Sequence, residues 1–170
     1  MLSDFKKINV KDLSDNVFKL LDNDWMLVTA GSSETANPMT ASWGGFGILW
    51  NRPIAISFIR PQRHTYKLLE KNDNFTLSFF SEEYRSILNF CGQKSGRDIN
   101  KIKETGLIPL TTENGAVSFK QARLILVCKK LYVDDINPDK FIVPEIISKM
   151  YPGKDFHRFY IGEILECYQK

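Results

Sequence analysis

The sequence predicts a mainly β protein, a closed antiparallel barrel with peripheral helices. Two observations lead to this prediction: six or more β-type segments follow one another at short spacing, and few connections are long enough for the helical crossover that parallel strands need. The 170 residues are 43% hydrophobic and 25% charged. Such a chain can bury an ordinary hydrophobic core, so residues 1–170 are expected to form one domain.

The first part of the chain is predicted to contain one short helix and three strands. Polar caps at residues 14–16 precede the helix, and residues 25–30 form a strand after it. The next strand is predicted to run without a break over residues 39–48, with side chains alternating between two faces. Because the turn at residues 51–53 is too short for a crossover, the strand at residues 54–59 should pair antiparallel with it.

The rest of the chain alternates short helices with strands. The predicted strands are apolar runs bounded by turn residues, at residues 75–80, 107–110, 117–119, 122–133 and 156–168. The predicted helices begin with polar residues and lie at residues 65–71, 81–91, 100–104 and 144–150. Thr65 is expected at the N-cap of the first of these helices, Gly92 at the C′ position of the second, and Gly162 as a break in the last strand.

Composition and charge exclude several classes of function. A net charge of +3 suits a small anionic ligand but not a nucleic acid, which needs a concentrated basic stripe. No apolar run approaches the ~20 residues of a membrane span. The amino terminus lacks a signal-peptide pattern, so we expect a cytoplasmic protein. Three widely spaced cysteines argue against a disulfide framework and against a metal site.

An anion anchor is predicted directly after the strand at residues 54–59. Arg60 follows that strand, and Arg63, His64 and Thr65 open the short helix behind it. Two guanidinium groups, a hydroxyl and free helix-terminal N–H groups match what a phosphate monoester needs. On this local pattern alone, the alternative that the arginines are solvated charges at a strand end stays open.

Two other segments have polar patterns that suit a bound cofactor. The strand at residues 39–48 carries hydroxyls, an indole and a glycine run, and such a run indicates close approach by a ligand or another backbone. It lacks the strand–turn–helix context of a dinucleotide-binding fingerprint. The loop at residues 92–98 has two glycines and three side chains able to bind an anion. Taken alone, residues 39–48 also fit an edge strand with a core tryptophan, and residues 92–98 also fit a solvated connection.

Four motifs resemble, in order and spacing, those of the flavin reductase-like proteins, which have the FMN-binding split-barrel fold and include the flavoredoxins. The motifs are N-P-M-T-A-S-W-G-G, I-R-P-Q-R-H-T-Y, F-C-G-Q-K-S-G-R-D-I-N-K and H-R-F-Y-I-G-E-I. The resemblance spans most of the chain, from about Trp25 to Ile164. It implies a six-stranded antiparallel split barrel, a homodimer, and FMN bound near the subunit boundary.

The resemblance also implies the residues of a flavin site. The strand motif would lie along the flavin, the second motif would hold the ribityl phosphate, the polar loop would close over the cofactor, and a histidine of the last strand would lie near the ring. In that order, the residues are Asn37, Met39, Thr40, Ala41, Ser42 and Trp43; Arg60, Arg63, His64 and Thr65; Cys91, Ser95, Gly96, Arg97, Asp98 and Lys101; and His157. Position 64 is His where many relatives are expected to have Tyr, so the phosphate site loses an aromatic wall or gains a donor.

Three individual roles stay open on the sequence. Lys101 or Arg97 would lie near the N1–C2=O edge of the flavin, where a cation stabilises the reduced, anionic ring. His157 is either a strand histidine with satisfied hydrogen bonds or a neighbour of the flavin. Cys91 is interpreted as a small buried residue rather than a redox centre.

The resemblance implies an FMN-binding oxidoreductase in which NAD(P)H reduces the flavin and electrons pass to free flavin or to a protein acceptor. Hydride transfer between stacked rings needs no general base or nucleophile, so no catalytic side chain is assigned. Two alternatives stay open. One is a flavoredoxin-like electron-transfer flavoprotein without a nicotinamide substrate, and the other is a flavin-binding module without turnover.

Overall fold

The computed structural model describes residues 2–170. Its strands are β1 (Lys6–Ile8), β2 (Met26–Ala30), β3 (Asn37–Ala41), β4 (Gly44–Leu49), β5 (Arg52–Ile59), β6 (Asn74–Phe79), β7 (Pro109–Thr111), β8 (Val117–Phe119), β9 (Leu124–Asp135) and β10 (Arg158–Gln169). Its α-helices are α1 (His64–Lys71), α2 (Arg85–Gln93), α3 (Lys101–Thr105) and α4 (Glu145–Met150). Short 3₁₀ or π-type turns lie at Leu2–Asp4, Val10–Asp12, Lys19–Asp24, Glu82–Tyr84 and Pro138–Lys140.

The main sheet is antiparallel and follows the spatial order β3-β2-β6-β9-β10-β5-β4. β1 pairs with β10 outside this path, and β7 and β8 form a separate hairpin. β3 and β4 lie at the two ends of the path but are joined in the chain through Ser42 and Trp43. The chain therefore links the two sheet edges, and the predicted mainly β barrel with peripheral helices is confirmed.

The prediction of one unbroken strand over residues 39–48 is wrong. β3 pairs with β2, whereas β4 pairs with β5, so the chain changes partners at the corner formed by Ser42 and Trp43. Gly44 follows this corner, and a Cβ there would lie only 2.5 Å from the carbonyl oxygen of Ile56. Counting β3 and β4 as one interrupted strand turns the seven strands of the path into the six of a split barrel.

Two other features of the strands differ from the prediction. The turn between β4 and β5 lies at Trp50 and Asn51, whose φ angles of 51° and 57° match the type I′ hairpin turn, so Arg52 and Pro53 belong to β5. β10 is not broken at Gly162. Instead, its register with β9 shifts there, and a Cβ would lie 2.8 Å from the Phe75 ring, which explains why only glycine fits.

The hydrophobic core has two parts, one on each face of the central strands. Met26 and Val28 of β2 pack with the buried residues inside the barrel, such as Leu77. Leu27, between them in the chain, belongs to a second cluster together with Leu88 of α2. Helix α2 and the β7–β8 hairpin thus cover the outer face of the sheet, and this packing fixes α2 beside β3.

Two predicted helix ends are also wrong. Arg63 is the N-cap residue of α1, and Thr65 lies in its first turn with a fully buried side chain, because its hydroxyl is bonded to Asn37 of β3. Gly92 lies inside α2, which ends with Lys94 as its C-cap. Both residues face β3: Thr65 is bonded to Asn37, and Gly92 lies against Thr40. Among residues 2–170, no helix has the length and apolar character to cross a bilayer.

Candidate functional site

A cleft of about 390 Å³ lies where the β3–β4 corner meets the end of β5, helix α2 and the start of β10. We call it the aromatic cleft. Its walls are formed by Trp25, Met39, Thr40, Ala41, Ser42, Trp43, Phe58, Arg60, Arg63, Gly92 and His157. The volume and the mixture of aromatic walls with a few polar groups are typical of a small-molecule site.

The β3 wall of the aromatic cleft is held by helix α2. The Thr40 hydroxyl donates a hydrogen bond to the carbonyl oxygen of Leu88. Gly92 lies over the same strand residue, where a Cβ would come within 3.4 Å of the Thr40 Cβ. The Thr40 hydroxyl is thus already engaged in a hydrogen bond, and the wall is held in place by contacts behind the cleft.

Arg63 connects the aromatic cleft to a second, smaller pocket. Its guanidinium donates to the carbonyl oxygen of Gly92 over 2.7 Å and to that of Cys91 over 3.3 Å. Burial lowers the pKa of Arg63, but a guanidinium stays charged near neutral pH. The carbonyls at the end of α2 therefore fix a partly buried positive charge at the boundary between the two spaces.

The second pocket has a volume of about 110 Å³ and is mostly lined by residues that can donate hydrogen bonds. We call it the cationic pocket. Its walls are formed by Met39, Gln62, Arg63, His64, Thr65, Gln93, Lys94, Ser95, Gly96 and Lys101. At position 96 a Cβ would lie 1.9 Å from the Asn37 Oδ1 atom, so the loop backbone approaches β3 as closely as glycine allows.

Lys101 brings a second buried charge to this pocket. Only 3% of its surface is exposed, and its Nζ donates to the carbonyl oxygens of Cys91 over 2.8 Å and Pro38 over 3.0 Å. Burial lowers the pKa of Lys101 to about 8. Neither Lys101 nor Arg63 forms an ion pair with an acidic side chain within the described residues. Buried cations without a counter-charge are costly, and this arrangement indicates an anionic ligand.

His64 is the first residue of α1 and lines the same pocket. Its Nδ1 atom is buried and has no hydrogen-bond partner in the described structure. Burial lowers the pKa of His64, and the neighbouring charges of Arg97 and Lys101 lower it further. A neutral imidazole with an unpaired buried nitrogen leaves this position ready to accept or donate a hydrogen bond when a ligand arrives.

Arg60 lies on the aromatic cleft rather than in the cationic pocket. Its guanidinium forms an ion pair with Asp155, donates to the carbonyl oxygen of Met150 over 2.9 Å, and lies 5.3 Å from the centre of the Tyr151 ring. The structure therefore separates the two arginines of the predicted phosphate anchor. Arg63 borders the cationic pocket, while Arg60 is held by the segment that precedes β10.

His157 and Trp43 form one side of the aromatic cleft. Their ring centres are 5.0 Å apart with a 46° tilt, and Trp43 is 44% exposed rather than buried in the core. His157 is buried, and its Nδ1 lies 2.9 Å from the Tyr151 hydroxyl oxygen. Burial, with the Arg60 charge beside it, lowers the pKa of His157 to about 4, so this imidazole is neutral at pH 7.

Comparison with known protein families matches residues 20–170 to the flavin reductase like domain. The chain belongs to this family. The resemblance drawn from four motifs is thereby confirmed, and the match includes the aromatic cleft and the cationic pocket described above.

Solved structures show the same fold. An FMN-binding domain of a flavin reductases-like enzyme from Shewanella baltica has a TM-score of 0.71 at 16% identity, covering 97% of this chain and 76% of its own. Flavoredoxin of Desulfovibrio vulgaris has a TM-score of 0.68 at 20% identity, with 97% and 76% covered. An NADH:FAD oxidoreductase of Streptomyces globisporus has a TM-score of 0.66 at 15% identity, with 86% and 75% covered.

The side chains of this family member fit a flavin mononucleotide. The aromatic cleft can accept a planar ring between the β3–β4 corner and His157, and Arg63 leads from it to the cationic pocket. That pocket is lined by the partly buried Arg63 and the buried Lys101, neither of which forms an ion pair in the described chain, and by an unpaired nitrogen of His64, and these groups are suitable partners for a phosphate. Its wall at Gly96 has no room for a side chain.

The remaining predicted site residues lie around the cationic pocket. Ser95 accepts a hydrogen bond from the Arg97 backbone N–H over 3.2 Å, and Arg97 and Asp98 are exposed beside a neighbouring polar pocket of about 360 Å³. Cys91 is fully buried, and burial raises its pKa to about 11. Its thiol stays protonated, and its contribution to the site is the carbonyl oxygen that Arg63 and Lys101 share.

Sequence reasoning missed several residues that line or support the site. Trp25 and Phe58 line the aromatic cleft, and alternation along the strand before Arg60 could have identified Phe58. Tyr151 and Asp155 contact His157 and Arg60 from the segment after α4. No local pattern marks those two, because only the fold brings residues 150–157 back to the end of β5.

Proposed function

We propose that this member of the flavin reductase like domain family is an FMN-binding oxidoreductase, with NAD(P)H as the reductant and free flavin or a protein as the electron acceptor. One observation carries the proposal. Two cations without an acidic partner in the described chain, the partly buried Arg63 and the buried Lys101, share the Cys91 carbonyl at the end of an aromatic cleft. A planar ring with a phosphate tail is the ligand that satisfies both spaces.

Arg63, His64 and Lys101 would hold the phosphate of FMN. A phosphate monoester carries about −1.5 to −2 charges near neutral pH and would neutralise the charges of Arg63 and Lys101. The first N–H groups of α1 and the loop backbone at Gly96 would add hydrogen-bond donors. Because the phosphate would restore the charge balance of the pocket, it would also raise the pKa of Lys101 from its lowered value.

The β3–β4 corner and the His157 side of the aromatic cleft would hold the ring. FMN supplies the two-electron chemistry when bound, and the chain supplies placement and exclusion of water. The side chains around the cleft match that division, since His157 and Cys91 are both neutral at pH 7 and neither is arranged as a general base or nucleophile. No catalytic side chain is therefore assigned.

A nicotinamide substrate is supported by two observations. Trp43 is half exposed at the mouth of the aromatic cleft, so this wall is accessible to a second ring. The Streptomyces globisporus protein with the same fold is named an NADH:FAD oxidoreductase. Anaerobic mixing of FMN-loaded protein with NADH or NADPH tests the proposal: flavin absorbance should be lost with at least one of them, and its persistence with both would overturn the reductase function.

A flavoredoxin-like electron carrier is the second candidate, and one surface feature favours it. From Trp43 a row of aromatic rings, each about 5.0–6.5 Å from the next, passes through His157, Phe58, Phe159 and Tyr132 to Trp50. Its outer members are 44% and 55% exposed. A protein acceptor could approach the cofactor along this row. Reduction by dithionite but not by NADH or NADPH would favour this candidate.

We also propose that the protein is a homodimer with FMN near the interface. Apolar side chains are exposed on β4, β9 and the segment before α4, among them Ile48, Val133 and Ile142, and Phe159 of the aromatic row lines one pocket with Ile142. Residues of this kind normally mark an interface. A second copy that covered the whole row, from Trp50 to Trp43, would reach the aromatic cleft and the bound ring. The free, buried cysteines agree with the cytoplasmic location that the sequence predicts.

A further inference from the structure

Among residues 2–170, the contact between Tyr151 and His157 is the one buried hydrogen bond at the aromatic cleft that joins two titratable side chains. The Tyr151 hydroxyl oxygen lies 2.9 Å from the His157 Nδ1, and the two side chains are 4% and 6% exposed. Tyr151 is fixed by stacking on Phe156, with ring centres 4.7 Å apart. The Arg60 guanidinium lies over the Tyr151 ring, at 5.3 Å from its centre. The hydroxyl is thus held at a defined position relative to the imidazole.

The direction of this hydrogen bond follows from the surroundings. If His157 donated from Nδ1, the buried Tyr151 hydroxyl hydrogen would need another acceptor, and within the described structure this hydroxyl has no second partner. An unpaired buried donor is unfavourable, so the hydroxyl donates and Nδ1 accepts. A neutral imidazole that accepts at Nδ1 carries its proton on Nε2.

The remaining nitrogen, Nε2, is available to the aromatic cleft. His157 lines that cleft, and its ring lies 5.0 Å from Trp43 and 6.4 Å from Phe58. The charged groups that face the imidazole are Arg60, on the end of β5, and its partner Asp155, on the segment before β10. Arg60 has no acceptor atom, and Asp155 accepts from Arg60 and Gln62 but forms no hydrogen bond with His157 in the described structure, so neither group takes the Nε2 hydrogen.

We infer that Tyr151 is a positioning residue that holds His157 in one neutral tautomer, with its single N–H directed at a carbonyl oxygen of a planar ring ligand in the aromatic cleft. The inference rests on the proposed function, because it concerns how that site recognises its rings. The flavin ring and the nicotinamide carboxamide both offer such an oxygen. A fixed donor would select the orientation of the ligand, which apolar stacking against Trp43 alone cannot do.

Nitrogen NMR of the histidine rings tests the tautomer directly. The chain has two histidines, so a His64→Gln variant leaves His157 as the single source of imidazole signals. In ligand-free protein at pH 7 we expect a protonated Nε2 and an unprotonated Nδ1. A proton on Nδ1, or a fast average of both tautomers, would overturn the inference without any change to Tyr151.

The Tyr151→Phe variant tests the role of the hydroxyl, since it retains the ring that stacks on Phe156 and under Arg60. We expect the tautomers to mix and the proton affinity of His157 to rise about tenfold, equivalent to about one pH unit. Tyr132→Phe is the matched control, because it removes an exposed hydroxyl that bonds to Asp134. An unchanged His157 spectrum in Tyr151→Phe would contradict the positioning role.

Ligand titration separates the two sources of the carbonyl oxygen. A shift of the His157 Nε2 signal on addition of FMN alone indicates the flavin, and a shift only when NAD⁺ is added to FMN-loaded protein indicates the carboxamide. A signal that moves with neither ligand, in protein shown by fluorescence to bind FMN, would overturn the donor role. Failure to bind FMN at all would instead refute the proposed function, so the two failures are distinguishable.

Discussion

The side-chain amide of Asn37 donates a hydrogen bond to the hydroxyl oxygen of Thr65 over 2.7 Å, in a site where both side chains are buried. This bond joins β3, which forms a wall of the aromatic cleft, to the first turn of α1, which borders the cationic pocket. The two parts of the proposed flavin site are therefore fastened to each other directly. The distance between ring and phosphate positions is built into the fold.

Asn37→Ala should destabilise the protein by about 1–3 kcal/mol, because it leaves the buried Thr65 hydroxyl without this partner. Urea unfolding followed by tryptophan fluorescence measures the change. Asn23→Ala, at an exposed asparagine, is the control and should stay within about 0.5 kcal/mol of the parent. Equal stability of the two variants would show that the Asn37–Thr65 bond does not hold the site together.

Gly96→Ala should both destabilise the apoprotein and weaken FMN binding, because the new Cβ would lie 1.9 Å from the Asn37 Oδ1. The loop must move away from β3, which we expect to cost about 1–3 kcal/mol. Gly45→Ala is the matched control, since a Cβ there meets nothing within 4 Å. Denaturant unfolding and fluorescence titration with FMN provide the two measurements. An affinity unchanged by Gly96→Ala would place the phosphate elsewhere.

The buried Lys101 should give the apoprotein a measurable pH dependence. Its folded pKa of about 8 is below its unfolded value of 10.5, so between these values the unfolded chain binds more protons and the stability contributed by this residue rises with pH. Below about pH 8 the full penalty of burying the charge is present. Between pH 8 and pH 10.5, the free energy of unfolding contributed by Lys101 rises by about 3 kcal/mol.

Urea unfolding of the parent and Lys101→Met at several pH values from 7.5 to about 10 isolates this contribution, because other groups titrate alike in both proteins. As the pH rises, the free energy of unfolding of the parent should increase relative to that of Lys101→Met. A constant difference would show that the Lys101 amine is not held in a penalised charged state. Saturating inorganic phosphate should reduce the slope if the anion binds beside it.

A charged side chain placed in the exposed apolar surface should dissociate the proposed homodimer. Ile48→Arg, at a side chain that is 62% exposed on β4, should convert a dimer into a monomer in light scattering. Phe18→Arg is the control, because Phe18 is 84% exposed outside the aromatic row and should leave the dimer intact. A monomer in the parent protein, or dimers in both variants, would exclude this surface as the interface.

Sequence patterns were sufficient for strands such as β6, but not where tertiary packing decides. The residues from Met39 to Ile48 look like one strand, because nothing local shows that β3 and β4 pair with different neighbours. Thr65 has the residue type of an N-cap but lies within the helix, since Asn37 bonds its hydroxyl. Long-range contacts therefore account for both errors.

In the candidate site too, the sequence predicts some of the residues but not the contacts that depend on tertiary packing. Arg63, Gly96 and Lys101 come from two separate motifs and line one pocket. Arg60 is instead turned towards the aromatic cleft by Asp155, ninety-five positions away in the chain. No spacing rule could have paired those two residues. Their contact depends on the way the segment after α4 returns to the end of β5.

The central claim is that the cationic pocket holds a phosphate through Arg63. Its most direct test is the ratio of FMN to riboflavin affinity, measured by fluorescence titration of the parent, Arg63→Ala and Arg60→Ala. The parent should prefer FMN, and Arg63→Ala should lose about 2–3 kcal/mol of that preference, since riboflavin lacks only the phosphate. Arg60→Ala should weaken the binding of FMN and of riboflavin by the same factor. A preference that survives Arg63→Ala undiminished would contradict the account.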